Sequence, residues 1–264
     1  MFIFLYDEGT EAKLGLAQIA DFLRELFPHA QVEARGEFVG QHASNNQLDD
    51  LARLLAQARI GNPSRPLVQR EPLAGEVQFE RERLQAGNRG PFGVAYDGFE
   101  VQAVMRALPP REEAKLNYAH LIFTNRLLAT WEENDLRYHL RVIVAGLPAL
   151  ISTSGAVEAP AKPREFYAVK QRLGADPVVY ERIKAGFAGQ FLDHGDDRLT
   201  EVLKGYALQA VLYQFTGEGF CSDPDCRLYN AHWQAEMLRA QLGGKLCAHH
   251  RKVMKSLTRN QMTQ

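Results

Sequence analysis

The chain has 264 residues, of which 45% are hydrophobic and 24% are charged. These values are typical of a globular protein, and the length is sufficient for a substantial core. The formal net charge is −1, which argues against a broad basic surface for nucleic acid or acidic lipid. The opening apolar run, residues 1–6, is too short to span a membrane and lacks a basic flank. We therefore expect a buried strand there and no signal peptide.

Strand-like and helix-like patterns alternate in the first part of the chain. The spacing of apolar residues predicts a strand over residues 1–6, a helix over 12–27, a second strand at 31–34 and a second helix over 48–58. A strand–helix–strand start is typical of an α/β layer.

The middle of the chain begins with a proline-rich stretch at residues 61–75. It is interpreted either as a domain linker or as an arm over a single domain, and we favour the arm. Residues 93–108 are predicted to form a hairpin that turns at Asp97-Gly98. Further strand-like runs follow at 121–130 and 136–153.

These patterns predict one α/β domain over residues 1–264, built on a mixed sheet with helices. Its parts are an N-terminal α/β part at 1–60, an arm and hairpin at 61–118, and a C-terminal part at 119–264. In the C-terminal part, Asp176-Pro177 has the form of a helix start, with the helix running to about Gln190. Asp197 is predicted to cap a long apolar helix that ends at Thr216.

All the cysteines of the chain follow that helix. Cys221, Cys226, Cys247 and His250 have the spacing Cys-x4-Cys-x20-Cys-x2-His. Free cysteines are often small buried hydrophobes, but two short-spaced pairs favour a tetrahedral structural zinc site. His249 is an alternative fourth ligand. Four protein ligands leave zinc no position for water, so one stabilising Zn²⁺ is expected, and cysteines committed to metal favour the cytoplasm.

This stretch resembles the archaemetzincins, zinc metallopeptidases with the pattern HExxHxxGxxHC-x4-CxM and a later CxxC. Gly217 falls on the glycine of the motif, and the three cysteines and His250 fall on its cysteine positions. The chain is most similar to the metallopeptidase family DUF6775. The resemblance implies a zincin-like fold from about residue 120 onward, with a C-terminal zinc knuckle.

The catalytic part of the motif is absent. The resemblance puts Ala210, Gln214 and Phe220 at the three histidine positions and Val211 at the glutamate, and Leu228 replaces the methionine. An HExxH helix works because two histidines share one face and the glutamate activates zinc-bound water. Metal-dependent peptide hydrolysis is therefore implied by the resemblance alone, in a chain whose catalytic motif is degenerate.

A charged stretch between prolines is a second candidate site. Glu158, Lys162, Arg164 and Glu165 lie in it, and they could bind an anionic or peptide-like ligand. The alternative, which we favour, is an internal network of ion pairs.

Three further residues are candidates near the cysteines. His232 and Glu236 are four residues apart, so they would share one face of a helix as an acid–base pair or as ligands of a second metal. Packing is the more usual role of such a histidine. Glu218 follows Gly217 and could act as a carboxylate base or as a cap at the helix end.

Three functions are compatible with these residues. The first is a divergent hydrolase that uses the charged candidates in a new way. The second is a non-catalytic module that binds a peptide or a small molecule in the former cleft. The third, a nucleic-acid role for the basic tail at residues 245–259, is disfavoured by the net charge. No membrane partner is expected.

Overall fold

A computed structural model of the chain describes residues 1–10, 14–86, 93–173 and 177–261. The strands are β1 (Phe2–Glu8), β2 (Gln31–Ala34), β3 (Ala95–Asp97), β4 (Tyr118–Thr124), β5 (Leu127–Glu132), β6 (Arg137–Arg141), β7 (Ile143–Val144) and β8 (Ala149–Ser152). The helices are α1 (Leu16–Leu26), α2 (Phe38–His42), α3 (Leu48–Gln57), α4 (Ala74–Ala86), α5 (Gly98–Arg106), α6 (Thr153–Glu158), α7 (Arg164–Leu173), α8 (Pro177–Gly186), α9 (Leu199–Thr216), α10 (Gln234–Gly243) and α11 (Ala248–Gln261).

The main sheet of the described chain has five strands in the order β2-β1-β4-β8-β7. The pairs β1–β2, β1–β4 and β4–β8 are parallel, and the edge strand β7 is antiparallel to β8. A second sheet has the order β3-β5-β6. The fold is therefore a mixed α/β architecture, as the sequence predicted.

Successive residues of β1 point to opposite faces of the main sheet, as the twofold repeat of a strand requires. Ile3 and Leu5 pack in a core that α1 and α9 cover. Phe4 and Tyr6 pack in a second core with α2, α3 and α5. Because both faces are buried, the strand is apolar at almost every position, which explains the continuous run at the start of the sequence.

The long helix α9 lies in the centre of the first core. Every residue from Leu199 to Leu212 is buried except Glu201 and Lys204. A helix that is apolar nearly all round must be surrounded by protein, so α9 acts as the support on which the C-terminal part packs. Gly217 caps the C-terminal end of the helix, with a left-handed φ of 76° and an N–H that donates to the Tyr213 carbonyl at 2.9 Å.

The helices α9 and α10 cross closely at Gly205. A Cβ atom at this position would lie 1.7 Å from Oε1 of Gln241 and 3.1 Å from Cγ of Arg227. The crossing therefore depends on a residue without a side chain, and it sets the position of α10 and of the segment that follows.

The predicted hairpin at residues 93–108 is wrong. Residues 95–97 do form β3, but Asp97 then caps α5: its carboxylate accepts from the N–H groups of Phe99 at 2.9 Å and Glu100 at 3.2 Å. Gly98 begins the helix, and a Cβ there would lie 2.6 Å from a methyl group of Val144. An Asp-Gly pair can begin a helix as well as a turn, and tertiary packing decided between them.

Other boundaries differ in smaller ways. The predicted strand at 31–34 and helix at 48–58 are confirmed, and the predicted long helix begins at Leu199. The position before that helix is occupied by Arg198 and carries no side-chain cap, so the predicted cap at Asp197 is wrong. Helix α8 ends at Gly186, short of Gln190. The predicted cap at Asp176 lies outside the described residues.

The strand-like run at 121–130 contains parts of two strands, β4 and β5, which belong to different sheets. The run at 136–153 contains β6, β7 and β8. In the described part of the chain, no helix combines the length and apolar character that crossing a membrane requires.

Candidate metal centre

Two chain segments bring the three cysteines together. Cys221 and Cys226 lie in a tight loop after α9, where the N–H of Cys221 donates to the Leu228 carbonyl at 2.7 Å and that of Cys226 donates to the Asp223 carbonyl at 3.0 Å. Cys247 directly precedes α11, so His250 lies in the first turn of that helix. The spacing Cys-x2-His thus places both side chains on the same side of a helix start.

The four donor atoms have the spacing of a tetrahedral metal site. Sγ of Cys221 is 3.8 Å from Sγ of Cys247, and Nδ1 of His250 is 3.7 Å from Sγ of Cys226 and 3.1 Å from Sγ of Cys247. All four atoms lie within 4.8 Å of one another. Around tetrahedral zinc, two sulfurs are about 3.8 Å apart and a sulfur and a nitrogen about 3.6 Å apart. The donor set and its dimensions therefore fit Zn²⁺.

Backbone N–H groups point at the sulfur atoms. Asp223 donates to Cys221 at 3.4 Å, Cys247 donates to Cys226 at 3.5 Å, and His250 donates to Cys247 at 3.4 Å. Hydrogen bonds of this kind favour the thiolate form that binds metal.

Burial and the neighbouring thiols act against ionisation of Cys221. Burial raises the pKa of the Cys221 thiol to about 12, and Cys226 adds to the increase. Burial also opposes ionisation of Cys247, but the N–H of His250 and the neighbouring thiols outweigh it and lower the pKa of that thiol. Several thiolates this close together require a cation between them, which is the role a metal ion would fill.

His250, and not His249, contributes to the cluster. His250 is 4% exposed, and burial, followed by the neighbouring His249, lowers the pKa of its imidazole, which favours the neutral form that ligates metal. His249 instead lies on the surface, where its Nε2 is 2.6 Å from Oε2 of Glu218. The same carboxylate oxygen is 3.7 Å from Nε2 of His250. Glu218 therefore borders the cluster on its outer side, where carboxylates often orient a ligating imidazole.

The helix positions that the resemblance assigns to catalysis hold no metal ligands. Ala210 and Val211 are buried in the core. Nε2 of Gln214 donates to the Leu116 carbonyl at 3.2 Å, and Phe220 is exposed. Among the described residues, no cluster of histidine, cysteine and carboxylate side chains includes a residue of α9.

A cavity of about 140 Å³ lies between β6, the end of α6 and the loop after Cys226. We call it the His232 pocket. Its wall combines aliphatic side chains with aromatic and polar ones, and the latter include His139, Arg141, Tyr206, Phe220, Tyr229 and His232. Of the candidates named from the sequence, His232 alone lines it.

The remaining candidates are dispersed. Glu236 caps α10, because its Oε2 accepts from the N–H groups of His232 at 3.1 Å and Trp233 at 3.2 Å. Arg164 lies over the Trp233 ring at 5.5 Å, and Glu165 is exposed. Among the described contacts, the Glu236 carboxylate therefore accepts from backbone N–H groups and does not form the predicted acid–base pair with the His232 side chain.

Glu158 and Lys162 form an ion pair at 3.1 Å. Lys162 is 4% exposed, and its Nζ lies 5.9 Å from the Phe166 ring and 5.5 Å from the Phe191 ring. The charged stretch is thus partly helical, since α6 ends at Glu158 and α7 begins at Arg164. These contacts favour the interpretation of an internal network.

A second cluster of potential ligands joins residues that are distant in sequence: His42, Glu113 and His120. Nε2 of His120 is 3.0 Å from the Glu113 carbonyl, which can only accept, so Nδ1 accepts from the Tyr6 hydroxyl at 3.0 Å. The Tyr6 oxygen then accepts from His42 at 3.2 Å and from Arg35 at 3.1 Å. Glu113 pairs with Arg35 at 2.9 Å. These described donors and acceptors match without a metal ion, and no sequence spacing predicted the cluster.

A family model described as a probable metallopeptidase family, DUF6775, matches residues 1–257. The chain is also similar to the crystal structure of archaemetzincin from Methanopyrus kandleri, with a TM-score of 0.46 and 11% identity over 100% of this chain and 96% of that one. A zinc-dependent peptidase from Methanocorpusculum labreanum has a TM-score of 0.43 and 14% identity, covering 96% of this chain and 100% of that one. The comparison with curated proteins found no match. From the family match, this chain belongs to the probable metallopeptidase family DUF6775.

Proposed function

We propose that this chain binds one zinc ion through Cys221, Cys226, Cys247 and His250, and that the ion stabilises the C-terminal part of the fold. The observation that carries the proposal is the mutual spacing of the four donor atoms, all within 4.8 Å. Three sulfurs and one imidazole complete a tetrahedral shell, so the ion has no position left for water and serves structure.

The position of the cluster supports this role. It joins the loop after α9 to the start of α11, and helix α10 lies between these two segments in the sequence. In the core, Cys226 and Leu228 are buried next to residues of α9. A metal bond between the segments would replace the hydrophobic area that such a short loop cannot supply.

A matched pair of histidine variants tests the ligand set. We expect His250→Gln to lower the zinc content of the purified protein well below one per chain, because it removes a donor atom. His249→Gln, on the adjacent residue, should retain one zinc. Metal analysis of both variants, with the absorption of cobalt-substituted protein to report thiolate ligands, measures the difference. Equal zinc content in the two variants would overturn the proposed ligand set.

We propose further that the His232 pocket binds a peptide or small-molecule ligand without hydrolysing it. The pocket supports this role because imidazole, guanidinium and aromatic groups converge in it, while Ala210, Val211 and Gln214 supply neither a second metal site nor a general base. The family description concerns peptidases, and on this proposal the chain retains their architecture for binding.

A panel of short unmodified peptides tests the second proposal. We expect saturable binding of some peptides to the zinc-loaded protein, with no cleavage detected by mass spectrometry. His232→Gln should weaken that binding, whereas His29→Gln, on an exposed residue elsewhere, should not. Zinc-dependent cleavage by the wild type, or binding that is indifferent to His232, would contradict it.

A further inference from the structure

The carboxyl ends of three parallel strands meet at one edge of the main sheet. Strand β1 ends at Glu8, β4 at Thr124 and β8 at Ser152. In open α/β sheets, ligands bind in crevices outside this edge, because the loops that leave the strands diverge there. The zinc cluster and the His232 pocket involve none of these three residues.

Hydroxyl groups fix the loop that follows β4. The Ser152 hydroxyl donates to the Arg126 carbonyl at 2.6 Å, and the Ser154 hydroxyl donates to the Asn125 carbonyl at 2.7 Å. Because their backbone groups are held in this way, the side chains of Asn125 and Arg126 project from the sheet edge into two adjoining cavities.

The outer cavity, which we call the strand-end cavity, has a volume of about 340 Å³. Its wall includes Arg83, Asn125, Leu127, Leu140, Ser154 and Glu158. An inner cavity of about 10 Å³, enough for one water molecule, is lined by Arg83, Asn125, Arg126 and Glu8, among others. Arg83 and Asn125 line both cavities and form the boundary between them. Nη2 of Arg83 donates a hydrogen bond to Oδ1 of Asn125.

Two guanidinium groups are buried beside the inner cavity, and Glu80 is paired with one of them. Arg83 is 8% exposed and Arg126 is 4% exposed. Nη1 of Arg126 is 3.2 Å from Oε2 of Glu80, whose other oxygen accepts from the Tyr96 hydroxyl at 2.6 Å. In the described part of the chain, Arg83 has no carboxylate within ion-pair distance, and Nε of Arg126 has no hydrogen-bond partner.

None of the other described carboxylates that line the two cavities forms an ion pair with Arg83. Glu158 is paired with Lys162, and Glu37 is exposed to solvent. Burial raises the pKa of the Glu8 carboxyl, which favours its neutral form. Burial, followed by the charge of Arg126, lowers the pKa of Arg83. Among the described residues, Arg83 therefore donates to a carboxamide and is paired with no carboxylate, and a buried charge is costly unless an anion pairs with it.

We infer that the strand-end cavity binds a small organic monocarboxylate, whose carboxylate pairs with Arg83 and whose hydrocarbon part packs against Leu127 and Leu140. Arg83 is the one guanidinium in the described wall of the cavity, and a single guanidinium matches a monoanion. A planar carboxylate also matches the fork of guanidinium donors, and the apolar wall excludes water from the remainder of the ligand. The inference does not depend on zinc or on the His232 pocket.

Benzoate and its neutral analogue benzamide test the inference on the zinc-loaded wild-type protein. We expect benzoate to bind saturably and raise the melting temperature, because a ligand of the folded state stabilises it, while benzamide at the same concentration does neither. Inorganic phosphate, which carries more charge, should bind more weakly than benzoate. Equal binding of benzoate and benzamide, or tighter binding of phosphate, would overturn the assignment.

Two arginines of helix α4 provide matched variants. Arg83→Met should weaken benzoate binding more than about tenfold, since a charged hydrogen-bonding group is lost. Arg81→Met, at a half-exposed residue paired with Asp49, should leave it unchanged.

The stability of Arg83→Met in the absence of an anion gives a second readout. We expect it to melt at or above the temperature of the wild type, because an uncompensated charge has been removed and the apolar stem is retained. A clear loss of melting temperature would assign Arg83 a purely structural role and contradict the inference, and the zinc content reports separately on the proposed metal centre.

Discussion

The cysteine cluster and the cluster of His42, Glu113 and His120 are two of the three groups of potential metal ligands among the described residues, and they differ in what their donor atoms already contact. In the first, Cys221, Cys226, Cys247 and His250 direct their donor atoms at one another, and backbone N–H groups make long contacts with the sulfur atoms. In the second, His42, Glu113 and His120 have their donors and acceptors matched through the Tyr6 hydroxyl and Arg35.

The comparison shows that proximity of ligand types does not by itself indicate a metal site. A guanidinium beside Glu113 already supplies the positive charge that a metal would provide, whereas the sulfur atoms of Cys221 and Cys247 lie against each other. A hydrogen-bond network and a candidate metal site can therefore be distinguished by asking which donors and acceptors are already paired. Four variants or conditions can sharpen this distinction.

The largest effect is expected for Cys226→Ala. Cys226 is fully buried, so its loss removes a ligand and leaves the other donors inside the protein without their cation. We expect the free energy of unfolding to fall by more than about 4 kcal/mol, a range reached when a metal site is lost. Chemical denaturation followed by circular dichroism measures this change. Removal of zinc from the wild type by a chelator should cause a loss of similar size, and a Cys226→Ala protein as stable as the wild type would contradict the proposed role.

Tyr6→Phe should destabilise the protein by about 1–3 kcal/mol, since it removes the hydroxyl that pairs with Nδ1 of His120 and Nε2 of His42. Its zinc content should be unchanged. Tyr213→Phe, at a residue that is 43% exposed, provides the control and should alter stability little. Chemical denaturation of the three proteins, with metal analysis alongside, measures both quantities. If Tyr6→Phe lost metal, the second cluster would not be a metal-free network.

Acid should weaken the second cluster through its histidines. Burial lowers the pKa of both His42 and His120, with the charge of His120 a further cause at His42. The unfolded chain then binds more protons than the folded one below about pH 6.5, so this contribution is present above that pH and is lost as the pH falls below it. The slope is at most about 1.4 kcal/mol per pH unit for each histidine.

The comparison of wild type and His42→Gln isolates that contribution from those of other titrating groups. We expect the variant to lose less stability than the wild type between about pH 7 and pH 5, as measured by denaturation at each pH. Identical pH dependence in the two proteins would show that His42 keeps the same protonation on folding.

The smallest effect is expected for Glu218→Gln. Its contact with His249 is on the surface, where an ion pair contributes about 0–1 kcal/mol. The melting temperature should change by little and the zinc content should stay at one per chain. A variant without zinc would assign the carboxylate a direct role at the metal, which the 3.7 Å separation from Nε2 of His250 does not support.

Local patterns were sufficient to predict much of the fold. The apolar run that became β1, the helical spacing of α3 and the apolar length of α9 are each signals within one segment, and the structure agrees with them. The candidate metal site was also visible, because its four residues form two short-spaced pairs and the turn at Asp223 lies within the first pair. Each of these signals comes from residues that are close to one another in the sequence.

The features that were missed depend on contacts between distant segments. The Asp97-Gly98 pair is compatible with a turn or a helix start, and packing against Val144 favoured the helix. His42 and His120 lie 78 residues apart, and no spacing rule relates them. The two arginines of the inner cavity, Arg83 and Arg126, come from a helix and from the loop after a parallel strand, and only the topology of the sheet brings them together.

The glycine at the crossing of α9 and α10 has a consequence for protein engineering. Anyone who transplants the cysteine-containing segment onto a different helical scaffold must also graft Gly205, because even a methyl group there would collide with Gln241. A scaffold with a bulkier residue at this position would hold the two helices apart. The loop with Cys221 and Cys226 would then be misaligned with the segment that carries Cys247 and His250. The portable unit therefore begins well upstream of its first sulfur atom.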